Sequence, residues 1–180
     1  MLTIESSEYR DPVKRRLASS LEYDADEPPV MFDLRHDLFG PMNPIFHARN
    51  GHRNTFNELD MAQFATVPTA RFLRLFHPKL PWYINIEPSH PNGITVGDIL
   101  LQLSTQLRQQ ILPRHYWNDA LSQQDRNEIG KAYMRRSHLW KSDQKRGILW
   151  IDFLCDEVVF EGLVRTKWGI WEIRTRNAYV

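Results

Sequence analysis

The chain is poor in what several functions require. It holds one cysteine, Cys155, in 180 residues, so no internal disulfide can form. A lone thiol is expected of a reducing compartment. Asp156 and Glu157 follow it, and neighbouring carboxylates should raise its pKa, which argues against an activated nucleophile. There are 8 glycines, and their spacing makes neither a phosphate-cradling loop nor a G-x-S-x-G nucleophile elbow. No apolar run approaches the roughly 20 residues that span a bilayer. The opening segment, MLTIESSEYRDPVKRR, has no apolar signal core. Together these predict a cytoplasmic or nuclear protein with no membrane partner.

Charge of one sign is also scarce. The 23 Lys and Arg against 22 Asp and Glu leave a net +1, which is no electrostatic footprint for nucleic acid. From Arg126 onward there are 11 basic and 7 acidic residues, against 12 and 15 before it. Such a bias is the ordinary property of a solvated face, so nucleic acid ranks third among partners, through Arg135, Arg136, Lys141, Lys145 and Arg146. Metal-ligand spacing is missing as well. His47 and His52 share one loop and His36 lies near, but no HExxH or paired CxxC frames them, so no metal and no cofactor is expected.

What is present is an ordinary globular composition, 42% hydrophobic and 25% charged. Residues 1–28 lack an apolar period and end in ADEPP, predicting a flexible N-terminal arm. Its Lys14-Arg15-Arg16 run beside Ser19 reads as solvated tail before it reads as an address or a kinase element. Residues 29–180 are expected to form a single α+β domain. Within it, residues 40–58, with Pro41, Pro44 and Gly51, predict an irregular loop. ARFLRLFH and WYINIEP alternate and predict an antiparallel hairpin. Thr95 and Asp98 form a capping box ahead of a leucine stripe, predicting a helix over about 96–110. Ser122 and Asp125 form a second one, opening a helix to about Trp140 with Ile129 and Tyr133 inward and Arg135 and Arg136 outward. Strands over 147–154, 158–164 and 168–174 close the chain as a meander. The sum is a mainly antiparallel sheet of about five strands with two main helices packed on one face.

Four segments, LPWYINIEP, NGITVGDIL, AYMRRS and RGILWIDFLCDEVVFEGL, occur in that order. Together they resemble the fungal family of domains of unknown function numbered 6699, found widely in mushroom-forming fungi. FDLRHDL resembles that family's opening strand, usually written around Trp-Asp, with Phe32 at the Trp position. The resemblance covers about residues 30–175. It implies a fungal source and the α+β fold. It implies no activity and carries over no catalytic residue.

One acid stands out. In GILWIDFLCDEVVFEG (147–162), Asp152 interrupts an apolar run. Strand parity puts it with Trp150 and Leu154, opposite Leu149, Ile151 and Phe153. An acid there needs a partner, and Arg165, Arg174 and Arg35 are the candidates. The bland reading is a structural ion pair. The functional one is an acid–base or ligand-orienting carboxylate among Trp82, Trp150 and Trp168, with His47 or His52 as the second catalytic group. Two helices on a two-sided sheet leave one face to account for. The leading expectation is therefore a binding or interaction domain. It would use Trp82, Trp150, Asp152, Trp168, Arg165 and Arg174 with the 40–58 loop, for a protein segment, a small apolar ligand or a second copy of itself. A small Asp/His enzyme is the alternative.

Overall fold

The computed structural model describes residues 11, 13–38, 46–49 and 52–178. Strand β1 (Arg16–Leu17) pairs antiparallel with β5 (Thr66–Val67). Residues 13–28, expected within a free arm, thus carry a strand, and Leu21 is fully buried in the core. Strand β2 (Phe32–Asp33) follows. The segment expected as irregular loop instead holds a hairpin of β3 (Phe46–Arg49) and β4 (His52–Thr55), antiparallel with Arg49 opposite His52. Helix α1 (Glu58–Ala62) starts at Asn57, whose side chain accepts from the Leu59 and Asp60 amides.

Strands β6 (Leu73–Phe76) and β7 (Ile84–Ile86) form the expected antiparallel hairpin. Their alternation is the reason: Leu73, Leu75, Ile84 and Ile86 are fully buried, while Asn85 is exposed. Helix α2 (Val96–Leu107) opens on the expected capping box. Thr95 Oγ1 accepts from the Asp98 amide at 3.1 Å, and Asp98 Oδ2 accepts from the Thr95 amide at 2.9 Å. Val96, Ile99, Leu100, Leu103 and Leu107 are buried on one stripe. Past Arg108 the chain turns extended, and Gln110 bridges to Leu149. A short helix α3 (Pro113–Tyr116) precedes α4 (Gln123–Leu139), which begins at the Ser122–Asp125 box.

After α4 come two 3-10 turns, Lys141–Arg146 and Trp150–Leu154, then β8 (Val159–Arg165) and β9 (Trp171–Arg176). The expected strand over 147–154 is therefore corrected to a 3-10 turn. Among the described residues the main sheet has the order β2-β8-β9-β6-β7. It is mixed rather than mainly antiparallel, because β9 runs parallel to β6, with Leu75 beside Trp171. Short links led to the expected meander, and β9 is indeed antiparallel to β8. Its second neighbour, however, comes from a hairpin about a hundred residues earlier. No described helix is long and apolar enough to cross a membrane.

Candidate functional site

Asp152 lies in the second 3-10 turn, so strand parity does not govern it. Both of its oxygens are engaged. Oδ1 accepts from Arg136 Nε at 2.8 Å, and Oδ2 accepts from Arg136 Nη2 and from the Leu149 amide, each at 2.8 Å. Arg136 also donates from Nη1 to Asp143 Oδ2 at 2.9 Å and from Nη2 to the Gly147 carbonyl at 2.8 Å. The two side chains are 2% and 3% exposed. Burial works against charge on Arg136, and the bonds to Asp152 and Asp143 outweigh it, holding the guanidinium above its ordinary pKa. The partner is thus not Arg165, Arg174 or Arg35. Arg35 grips Asp33 instead, from Nε at 2.9 Å. Arg136, expected outward, lies on the stripe of Ile129 and Ala132, spaced three and then four residues apart, which is the buried face of α4. The space beside the pair is about 10 Å³, room for about one water.

The expected aromatic face divides. Trp82 meets Trp150 at 4.6 Å, Phe153 at 5.0 Å and His115 at 4.9 Å between ring centroids. This cluster is built from the β6–β7 turn, α3 and the 3-10 turn, not from a sheet face. His115 Nδ1 accepts from the Leu112 amide at 3.2 Å. Desolvation, with a smaller push from Arg114, lowers its pKa below the ordinary value. Trp168 lies elsewhere. Trp82 follows β6 in the direction that β6 and β9 run, whereas Trp168 precedes β9, so the two occupy opposite ends of the sheet. Trp168 is 38% exposed, with Lys167 Nζ 4.8 Å above its ring. Arg174 is exposed, paired with Glu172 at 3.1 Å and set over the Tyr23 ring at 5.7 Å.

His47 sits opposite Asn54, and His52 opposite Arg49, in the β3–β4 ladder. They are on different strands and are not register partners; their side chains lie outside the description. Among the described residues, no three His, Cys, Asp or Glu side chains gather as a metal group would require. Cys155 is half-buried, and burial is the main cause that pushes its thiol pKa up, with Asp156 adding to it and Lys79 opposing it.

A cavity of about 640 Å³ opens where the N-terminal segment crosses β8 and β9. The crossing is held by the Leu163 amide donating to the Leu21 carbonyl at 2.7 Å, and by the Tyr23 amide donating to the Leu163 carbonyl at 3.1 Å. Gly162 makes it feasible. Its φ is +139°, and a Cβ there would stand 2.8 Å from Tyr23 Cα. The β8–β9 register sets Arg165 opposite Trp171, and the Arg165 guanidinium lies 5.8 Å from that indole ring. Both residues line the cavity, with Arg15, Arg16 and Tyr23. Arg165 Nη2 donates to the Val13 carbonyl at 2.7 Å, but its Nε is buried without an acceptor among the described residues. The same holds for the Nε1 of Trp171, a residue only 3% exposed. Arg15 is answered by Asp11 at 2.8 Å and by the Pro68 and Thr69 carbonyls. Arg16 has no ion-pair partner among the described residues.

A model of a family of unknown function, DUF6699, matches residues 9–169. The chain belongs to the DUF6699 family. No curated protein and no solved structure matches it. The DUF6699 match includes Arg15, Arg16, Arg136, Asp152 and Arg165, and it ends two residues before Trp171. Of the cavity residues, Arg165 stood among the sequence candidates, but Trp171 and Arg16 did not. Trp171 was accessible to strand alternation, since Trp171 and Ile173 share the buried face of β9. Arg16 appeared only within the Lys14-Arg15-Arg16 run, read as solvated tail, because the docking of its segment depends on distant partners.

Proposed function

We propose that this DUF6699 chain is a binding domain, and that its ligand enters the cavity between the N-terminal segment and strands β8 and β9. One observation carries the reading. Arg165 and Trp171 both line this cavity, and behind its wall each keeps a buried donor, Nε and Nε1, without an acceptor among the described residues. A buried unsatisfied donor costs roughly 1–3 kcal/mol, and a ligand acceptor that displaces the Arg165 side chain from the Trp171 ring would remove that cost. A volume of about 640 Å³ suits a small organic molecule.

The Asp/His enzyme reading has less support. Asp152 accepts three hydrogen bonds and adjoins too little space for a substrate. Nucleic acid stays third, because three of the five cations that would form its surface are answered within the chain: Arg135 by Asp156, Arg136 by Asp152 and Arg146 by Asp143. The test is a fragment titration of the nitrogen-labelled full chain by NMR. Bound fragments are expected to shift the amides of residues 163–165 and 171. A screen whose hits all shift Trp82, His115 and Trp150, leaving Arg165 and Trp171 still, would sink this assignment.

A further inference from the structure

We propose that Ser19 is a phosphoacceptor for an arginine-directed protein kinase, and that the kinase reaches it only when the N-terminal segment lifts from the body. The inference does not depend on a ligand in the cavity. The Lys14-Arg15-Arg16 run is not a solvated tail. Arg16 lies in β1, paired with Val67, and Arg15 is held by Asp11 and by the Pro68 and Thr69 carbonyls. Lys14 and Arg16 remain exposed, and among the described residues neither has an ion-pair partner. The fold thus leaves two cations free, five and three residues before Ser19, itself exposed. Cations on that side of a serine are a charge pattern that kinases select. Ser19 stands in a turn closed by the Leu21 amide, which donates to the Ala18 carbonyl at 2.9 Å. The same turn withholds it. A kinase groove takes its substrate extended, and Leu21, two residues beyond the acceptor, is fully buried in the core. Lifting residues 14–23 frees Arg15 and Leu21 together. Ser19 Oγ then attacks the γ-phosphorus of ATP. The Oγ–P bond forms, the bond from that phosphorus to the bridging oxygen breaks, ADP leaves, and the hydroxyl proton passes to the kinase's base. On re-docking, the phosphate joins the cavity lining, where Arg15 with its partner Asp11, Arg16, Arg165 and Glu22 leave a net charge of +1. A phosphate of about −1.5 to −2 reverses that sign.

The full chain is incubated with ATP and the catalytic subunit of cyclic-AMP-dependent kinase, an arginine-directed enzyme, and the modified residue is mapped by mass spectrometry. One phosphate on Ser19 is expected, and none in Ser19→Ala. Arg16→Gln is expected to lower kcat/KM for the modification by about tenfold or more, the effect of losing a charged hydrogen-bond partner. Arg16 is exposed, so its variant tests recognition without disturbing the core. Gly162→Ala places a Cβ 2.8 Å from Tyr23 Cα and raises the lifted fraction. It is expected to be modified about fivefold faster or more. Asp11→Asn, which loosens the Arg15 anchor, gives the same readout if Gly162→Ala unfolds. Phosphate on Ser20 instead of Ser19, no phosphate at all, or Arg16→Gln modified as fast as the parent overturns the site. Equal rates in the parent, Gly162→Ala and Asp11→Asn overturn the requirement for lifting.

Discussion

At the scale of single residues, the buried charges are the informative ones. Asp152 is tied to Arg136 by two bonds and to the Leu149 amide by a third. Breaking a buried pair strands the remaining charge, at a cost of about 3 kcal/mol or more. Asp152→Asn should therefore lower the unfolding free energy by about that much in a urea titration near pH 7. An unchanged midpoint would mean that the pair does not anchor the fold. His77 makes a different prediction. Its Nδ1 accepts from the Lys79 amide at 3.2 Å, which leaves Nε2–H to donate to Thr175 Oγ1 at 2.9 Å. Burial, with help from Lys79 and Arg174 and against Glu157, lowers its pKa from 6.5 to about 4. Between those values the unfolded chain binds the extra proton and the folded chain does not. His77 therefore contributes its full stability above about pH 6.5, and that contribution falls away as the pH drops towards 4, by on the order of 3 kcal/mol. In His77→Gln the slope of stability against pH across this window should be shallower than in the parent. An identical slope would assign the acid sensitivity to other groups.

At the scale of elements, local signals were legible and distant ones were not. The boxes at Thr95 and Ser122 need only residues three apart, and both are closed as expected. The run around Asp152 was misread because apolar residues in a short window fit a strand and a turn equally well. Contacts from outside the run decide it: Gln110 bridges Leu149, and Arg136 takes the Asp152 carboxylate; within the run, Gly147 turns with φ +66°. Arg136 itself could have been found, since its spacing from Ile129 and Ala132 is helical; the habit of placing arginine outward concealed it. Gly162 is the element-scale test. Alanine there meets an unfavourable φ and the Tyr23 backbone at 2.8 Å, so Gly162→Ala should cost about 1–3 kcal/mol. Exchange of the Leu163 amide, now bonded to the Leu21 carbonyl, should accelerate more than that of the β6–β7 amides. Equal acceleration throughout would mean general destabilisation rather than a lifted N-terminal segment.

At the scale of the molecule, the N-terminal segment belongs to the core. Leu21 is fully buried, and Leu17, four residues before it, packs against the same core; that spacing suits a helix, and the segment forms none. Leu21→Ala should cost about 2–5 kcal/mol. A cost near zero, measured by chemical denaturation, would mean that the segment leaves the body without consequence. The candidate cavity was hidden from the sequence as well. Its walls come from residues 15–23, from Val67 and from 163–171, and the docked segment brings them together.

The place of β9 bears on the order in which the molecule can be made. It is the last described strand, yet it lies between β8 and β6 and joins the two halves of the sheet. Strands β6 and β7 precede β9 by about a hundred residues, whereas β8 ends only six residues before it. Until β9 docks, the edge along Leu73–Phe76 has no neighbour on that side, the kind of open edge that a folding chain must keep from other chains. Trp171 is the first residue of the strand that closes this gap, so the candidate cavity gains its indole wall in the same step that completes the sheet.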